Sequence, residues 1–444
     1  MGRARTGIVA WIAAVAVFVG TSVVAQAQTV ITFYSRSNAT EVLWVEEIVD
    51  RFNAEHTDIE VRFTPSGTGG GADYAERLAV LRAGGNSPDV FTGFADKLGF
   101  ILNGWTLDLT PFVERDRAEL DIDDFFPGVW STFAREGRIY GIPFTVTPQF
   151  IFYNRDMFAE AGLDQLPVDW NERSWTWDAM VETSRKLTIM NPDGSARQLG
   201  LSQATESHIP DVVWLFGGDW FPAEAYETGR AERATFTRPE NITAYTAVFE
   251  VYQLYAAAGP PKGISAGTGF AEGRIGMDWI GAWKMDSYMT AQRSGGMTFS
   301  WGLAPVPLVE NRANTRWNNP LYIAADTPHP DAAWTFVKYA TSPEAQWLWA
   351  EITGKLPARR SALPAYLDRV AAATGMPLDD LATSVSGALA HSRRSLEESI
   401  GDVQLLIVRE RGRFIDAMLA GLQPIGSALQ AFEDLVNAHL RGAQ

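Results

Sequence analysis

The sequence contains no cysteine, which excludes disulfides, thiolate metal sites and a cysteine-borne lipid anchor. Histidine is scarce: the 5 present, His56, His208, His329, His391 and His439, form no His-x-x-x-His or His-Glu pair, so a zinc centre is not expected. A G-x-x-x-x-G-K-S/T phosphate loop and a G-x-S-x-G nucleophile elbow are both missing. Bases are in deficit, 37 Lys and Arg against 53 Asp and Glu, for a formal net charge of −16. Such a surface repels nucleic acid and anionic lipid headgroups. Past the first 28 residues no apolar run is long enough to span a bilayer. No metal, no cofactor and no nucleic-acid partner is therefore expected.

The amino terminus is what stands out. Arg3 and Arg5 precede the apolar stretch "GIVAWIAAVAVFVGTSVV", and Ala25-Gln26-Ala27 closes it with small residues. This is the pattern of a secretory leader cleaved after Ala27. The rival, a membrane anchor, rests on a run that only just reaches the roughly 18 residues needed to span. Residues 1–27 are expected to be a leader and the mature protein to be periplasmic without a lipid anchor. The remaining chain is long enough for two or more domains. The 16 tryptophans supply core bulk and ring faces on which a ligand can stack.

Strand and helix patterns alternate, which argues for the α/β class. "VITFYSR" reads as a strand. "ATEVLWVEEIVDRFNAEH" reads as a helix with Leu43, Ile48 and Phe52 on its inner face and Thr40 near its start. In "IEVRFTPSGTGGGADYAERLAVLRAGG", Gly67, Gly69 and Ala72 with Asp89 downstream satisfy a dinucleotide-binding spacing. The context does not. The preceding strand alternates apolar and polar residues, whereas a dinucleotide fold needs a fully buried one, and Asp89 opens the next strand instead of ending it. The carboxylate pairs Glu46-Glu47, Asp123-Asp124 and Glu397-Glu398 read as solvated faces, because helical neighbours point apart.

Seven segments, in order, resemble the extracellular carbohydrate-binding proteins of ABC importers, the broad family that includes the maltodextrin binder. They are "LRAGGNSPDVFTGFADKLGFILNGWTLDLTPF", "GRIYGIPFTVTPQFIFYNRDMFAEAGL", "SWTWDAMVETSRKLT", "GFAEGRIGMDWIGAWKMDSY", "LAPVPL", "DAAWTFVKYATSPEAQWLW" and "KLPARRSAL". The resemblance implies a two-lobed α/β fold of the periplasmic binding protein type (type II-like). Each lobe would be a sheet flanked by helices, with the ligand held in the cleft between the lobes. Lobe one would comprise 28–146 and 302–341, and lobe two 147–301 and 342–444, with "IPFTVTP" and "WGLAPVP" crossing between them. The last helices would pack on lobe two. Function would be capture of a small carbohydrate by lobe closure and delivery to the membrane permease subunits, by a monomer that is not an enzyme.

Matching positions give candidate ligand contacts: Ser35, Arg36 and Ser37 at the end of the first strand, Thr92, Gly93, Phe94 and Asp96 at the third, and Thr147 and Gln149 at the crossover. Trp283 in "GAW" matches the family's stacking tryptophan. Glu206 and His208 would precede a second-lobe helix, with Trp220 after its Gly-Gly turn; Asn319 and Tyr322 lie in "NNPLYIA". Asp278 and Trp279 alternate along one strand, so only one of them faces the cleft. Asp96 either accepts ligand hydroxyls or caps "KLGFILNG". The maltodextrin binder's strand-end tryptophan is replaced near Gly93-Phe94, and its acidic crossover position is Thr147, so a monosaccharide, short oligosaccharide or polyol is expected. Arg36 leaves a sugar phosphate, sugar acid or glycerol phosphate open. A secreted glycoside hydrolase is the enzyme alternative, needing two converging carboxylates, and a surface lectin is the third. Export in a Gram-negative host should yield a mature chain beginning at Gln28 by intact mass; an uncleaved mass would contradict the leader assignment.

Overall fold

The computed structural model describes residues 28–36, 39–67, 71–94, 96–193, 195–202, 209–256, 269–401, 403–419 and 421–442. It opens with strand β1 (Thr29–Ser35), helix α1 (Ala39–Glu55), strand β2 (Ile59–Pro65), helix α2 (Gly71–Ala83) and strand β3 (Val90–Thr92), β1 lying parallel to both other strands. Helix α1 buries Trp44, Val45, Ile48 and Phe52. Leu43, expected on that face, is 56% exposed; Trp44 takes the inward position in its place. Asp89 has a structural task. Its carboxylate accepts from the Thr32 amide at 2.7 Å and hydroxyl at 2.9 Å and from the Thr327 hydroxyl, tying β1 to the start of β3. Gly67 takes φ 83, while Gly69 lies outside the described residues.

Helix α3 (Lys97–Leu102) and the short hairpin β4 (Ala134–Arg135) and β5 (Arg138–Ile139) lead to β6 (Gly141–Asn154), a strand of 14 residues that is buried almost throughout. Asn154 ends it by accepting from the Met157 amide at 3.0 Å. Helix α4 (Trp177–Leu187) is capped as its sequence suggests, Thr176 accepting from the Ala179 amide at 3.2 Å. There follow β7 (Ile189–Met190), β8 (Ala196–Leu201), helix α5 (Pro239–Ala256), β9 (Ile275–Gly281), helix α6 (Met285–Arg293), β10 (Trp301–Ala304) and β11 (Asn314–Ile323). Apart from β4 and β5, which pair only with each other, the described strands form one sheet in the order β2-β1-β3-β11-β6-β9-β8-β7, with β10 also on β6 and β12 (Ser392–Arg394) on β11.

β6 changes partners along its length. Gly141–Pro148 pair with β11, then Gln149–Tyr153 pair with β9 and Ile151–Asn154 with β10. On the far side of its first half the described residues place the 356–358 segment and the Gln346 side chain, which donates to the Pro143 carbonyl at 3.4 Å, so Pro143 and Pro148 face no continuous strand there. Where the partners change, the fully buried Asn314 side chain accepts from the Gln149 amide at 3.0 Å and donates to the Gln149 carbonyl at 3.2 Å. It also donates to the Ala388 carbonyl at 3.3 Å. A side-chain amide at the start of β11 thus imitates a backbone neighbour for Gln149 one residue past the β11 ladder, which ends at Pro148.

Two expected boundaries fall elsewhere. Residues 302–304 belong to β10 and pair with the second half of β6, so the return to the first half of the sheet is made by β11. Helix α7 (Pro343–Thr353), expected with the second lobe, packs on α1: the Trp44 indole donates to the Ala345 carbonyl at 2.9 Å and its ring meets Trp349 at 5.0 Å. Ser342 caps α7 and Gly354, at φ 65, ends it. Helices α8 (Leu396–Ser399), α9 (Gln404–Leu419) and α10 (Ile425–Gly442) close the chain. α10 docks Phe432 against Phe236 at 4.7 Å and accepts the Thr237 amide on Glu433 at 2.8 Å. Replacing Asn314 with Ala strands two buried backbone groups of Gln149, and a stability loss of about 2–4 kcal/mol is expected in denaturant unfolding; a loss below about 1 kcal/mol would show that the amide splice is dispensable.

Candidate functional site

A cavity of about 550 Å³ opens where β6 changes partners. Its walls come from the end of β1 and the turn after β3, from β6 and β11, from the turn after β9, and from segments beyond α7. A recess of about 20 Å³ adjoins it and shares Arg36, Glu41, Phe94, Asn319 and Trp349 with it. Of the expected residues, Arg36, Phe94, Thr147, Trp283 and Asn319 line the cavity, and Ser35, Thr92 and Gly93 line the recess.

Aromatic groups shape one wall. Trp283 meets Trp317 edge to face, centroids 5.0 Å apart and planes at 79°, so the pair presents two nearly perpendicular apolar surfaces. Trp283 holds this place because it folds over Gly281: a Cβ there would lie 2.0 Å from the indole ring. Opposite, the Arg36 guanidinium lies over the Phe94 ring at 4.1 Å, a cation–π seat that fixes the long side chain. The Arg36 amide donates to Thr92 Oγ1 at 3.4 Å.

Charge in the cleft is closely paired. The Lys97 ammonium, 1% exposed, meets Glu397 at 2.8 Å and Glu398 at 3.0 Å. Burial works against that ammonium, but the two carboxylates outweigh it and hold its pKa above the ordinary lysine value. Burial pushes the Glu397 carboxyl up, and Lys97 draws it part of the way back. Glu398 also accepts from the Asn318 side chain at 2.8 Å and from its amide. Across the cavity, Lys355 meets Glu41 at 2.6 Å and Asp286 at 3.6 Å, and Thr40 donates to Asp286 at 2.8 Å. Because α6 follows β9 whereas α1 lies beside β1 and β2, these contacts join the two halves of the sheet across the cleft. Thr40 accordingly serves as a cross-cleft donor from inside α1.

The structure corrects several expectations. Trp220, 1% exposed, packs against Phe236 and Phe432. Tyr322, fully buried, donates to the Lys97 carbonyl at 3.0 Å. Gln149 is fully buried and takes the Trp279 indole proton at 3.0 Å, so both belong to the core beneath the cleft. Asp278, the alternating partner, is equally buried, facing Tyr288. Asp96 neither lines the cavity nor caps α3; its carboxylate fills the space beside Gly99 where a Cβ would stand. Ser37, Glu206 and His208 lie outside the described residues. Glu397 and Glu398, expected on a solvated face, converge on one buried lysine. Trp317, Trp349, Lys97 and Lys355 line the cavity without having been singled out.

The chain matches the sequence profile of the bacterial extracellular solute-binding protein family over residues 37–347. It is 24% identical over 322 residues to a maltotriose-binding protein of Pyrococcus abyssi, covering 71% of this chain and 63% of the relative. It is 29% identical over 187 residues to an sn-glycerol-3-phosphate-binding periplasmic protein of Pectobacterium atrosepticum, 41% of this chain and 40% of the relative. The chain thus spans under two thirds of these curated relatives. The fold superposes with TM-score 0.76 on an ABC substrate-binding protein of Listeria monocytogenes in complex with cycloalternan, at 22% identity and covering 93% of this chain and 98% of that one. Replacing Lys97 with Met leaves two buried carboxylates without their cation, and a loss of about 3–5 kcal/mol of stability is expected in denaturant unfolding; retention of stability to within about 1 kcal/mol would mean that the carboxylates are not held as ions.

Proposed function

The chain belongs to the bacterial extracellular solute-binding protein family, and from that premise we propose that it is the binding component of an ABC importer for a small carbohydrate or polyol. The observation that carries this reading is the cleft at the partner change of β6, with the Trp283–Trp317 pair on one wall and Arg36, Thr147 and Asn319 placed to meet hydroxyls. Sugars offer C–H faces to aromatic rings and a rim of hydroxyls to planar polar groups, and this cleft has both. Its volume suits a ligand of one or a few sugar rings.

Division into two lobes about β6 and β11 gives the mechanism. The ligand bridges the walls, the lobes close on it, and the closed form is what the permease subunits in the inner membrane receive. No bond in the ligand changes. The protein works in the periplasm as a monomer after removal of its leader. The maltotriose and sn-glycerol-3-phosphate of the two relatives bracket the size range that this volume admits.

The test is calorimetric titration of the mature protein, unfolded and refolded to strip bound ligand, with mono- and disaccharides and polyols, the ligand being recovered afterwards. Saturable binding with the compound recovered intact is expected, and Trp283→Ala should weaken it by at least about tenfold, or ~1.4 kcal/mol. Conversion of the compound would replace this reading with hydrolysis, and failure of every compound to bind would remove the carbohydrate assignment.

A further inference from the structure

We infer that the Arg36 end of the cleft is an anion subsite, so that the ligand carries a carboxylate or phosphate group on its sugar or polyol frame. This rests on the solute-binding reading and narrows its ligand class. Three observations carry it.

The first is the bonding of Arg36. Its Nε is shut off from solvent with no hydrogen-bond partner, and among the described residues its guanidinium makes no ion pair. A charged donor left in that state is unfavourable unless something supplies the acceptor. The Phe94 ring, whose centroid lies 4.1 Å from the guanidinium carbon, holds the group by a cation–π contact and supplies no oxygen acceptor to its N–H groups. A guanidinium pinned by its face offers its edges as a fork, the geometry that takes two oxygens of one carboxylate or phosphate.

The second is contrast within the same cavity. Lys97 is matched by two carboxylates and Lys355 by two more, so both are more than neutralised. Lys284 and Arg411, also in the wall, have partners of their own. Arg36 forms no ion pair among the described residues, and Glu41, the carboxylate that lines the recess with it, is taken by Lys355 at 2.6 Å.

The third is the setting. The chain carries a formal charge of −16, so an anionic ligand is repelled at long range and needs a local cation to be held. The recess at Arg36 is lined by Ser35, Thr92, Gly93 and Asn319 and also by Glu41, whose carboxylate is engaged by Lys355 at 2.6 Å; at about 20 Å³ it is too small for the anion itself, which would sit in the adjoining cavity of about 550 Å³ that Arg36 also lines. Gly93 is close-packed, since a Cβ there would lie 2.5 Å from Pro320; this keeps the floor of the recess thin.

The test uses matched sets built on a hexose, a pentitol and a disaccharide, each as neutral parent, carboxylate and phosphate ester, titrated calorimetrically into the mature protein. At least one acid should bind about 10- to 100-fold tighter than its parent, the range of a charge-assisted bidentate contact. That preference should shrink as ionic strength rises. Arg36→Gln should erase it and Arg36→Lys restore only part, because an ammonium lacks the fork. The same charge change at Arg62→Gln, on exposed β2, should leave it intact, and unchanged thermal unfolding should certify each variant. Preference for a carboxylate or for a phosphate ester names the source of the anion. If no acid binds tighter than its parent, or if Arg36→Gln leaves the preference unchanged, the anion subsite is overturned. Neutral sugars binding in that case would keep the carbohydrate reading, whereas silence from every compound would sink both.

Discussion

The structure turns on a splice. β6 is hydrogen-bonded to β11 along its first half and to β9 and β10 along its second, and at the join the Asn314 side chain supplies the acceptor and donor that Gln149 needs. A buried backbone amide without a partner is costly, so a strand that abandons one neighbour for another must find substitutes at that point. The cleft follows directly. Thr147 sits two residues before the join, Trp317 and Asn319 a few residues along β11, and Trp283 just past β9. One element therefore holds the halves together and brings these cavity-lining side chains to one place.

Across that opening the halves touch through ions. The Lys355, Glu41, Asp286 and Thr40 contacts link α1 with α6 in a poorly hydrated position, where attraction is strong and screening by salt is weak. Their worth depends on the geometry, because each charge must recover its lost hydration from partners that exist only when the halves meet. Such contacts favour one arrangement without holding it permanently. On the other side Lys97, Glu397 and Glu398 tie the start of α3 to α8 and, through Asn318, to β11. Those ions are internal bracing.

The alternation of elements and the caps at Thr176 and Ser342 were legible in the sequence, since each depends on neighbours a few residues apart. That Arg36, Phe94, Thr147, Trp283 and Asn319 share one cavity wall was legible only through ordered segments that resemble a family. What escaped depends on distant contacts. Trp220 and Tyr322 carry the same local pattern as an exposed aromatic, and only Phe432 from α10 and the Lys97 carbonyl show them to be core. Glu397 and Glu398 look like a solvated pair until Lys97, three hundred residues earlier in the chain, arrives between them. The boundary at α7 failed for the same reason: Trp44 of α1 is what claims it.

The claim on which the account stands is that the two halves of the sheet close on a ligand. The absence of cysteine makes it accessible, because two cysteines introduced at exposed Val80 on α2 and Glu182 on α4 can be spin-labelled without interference. Pulsed dipolar spectroscopy of that double variant, without ligand and then with the tightest-binding sugar or sugar acid, reads the separation of the halves. Ligand is expected to shift the distance distribution and narrow it to one population. The same distribution with saturating ligand as without would contradict it, and the cleft would then be a rigid receptor.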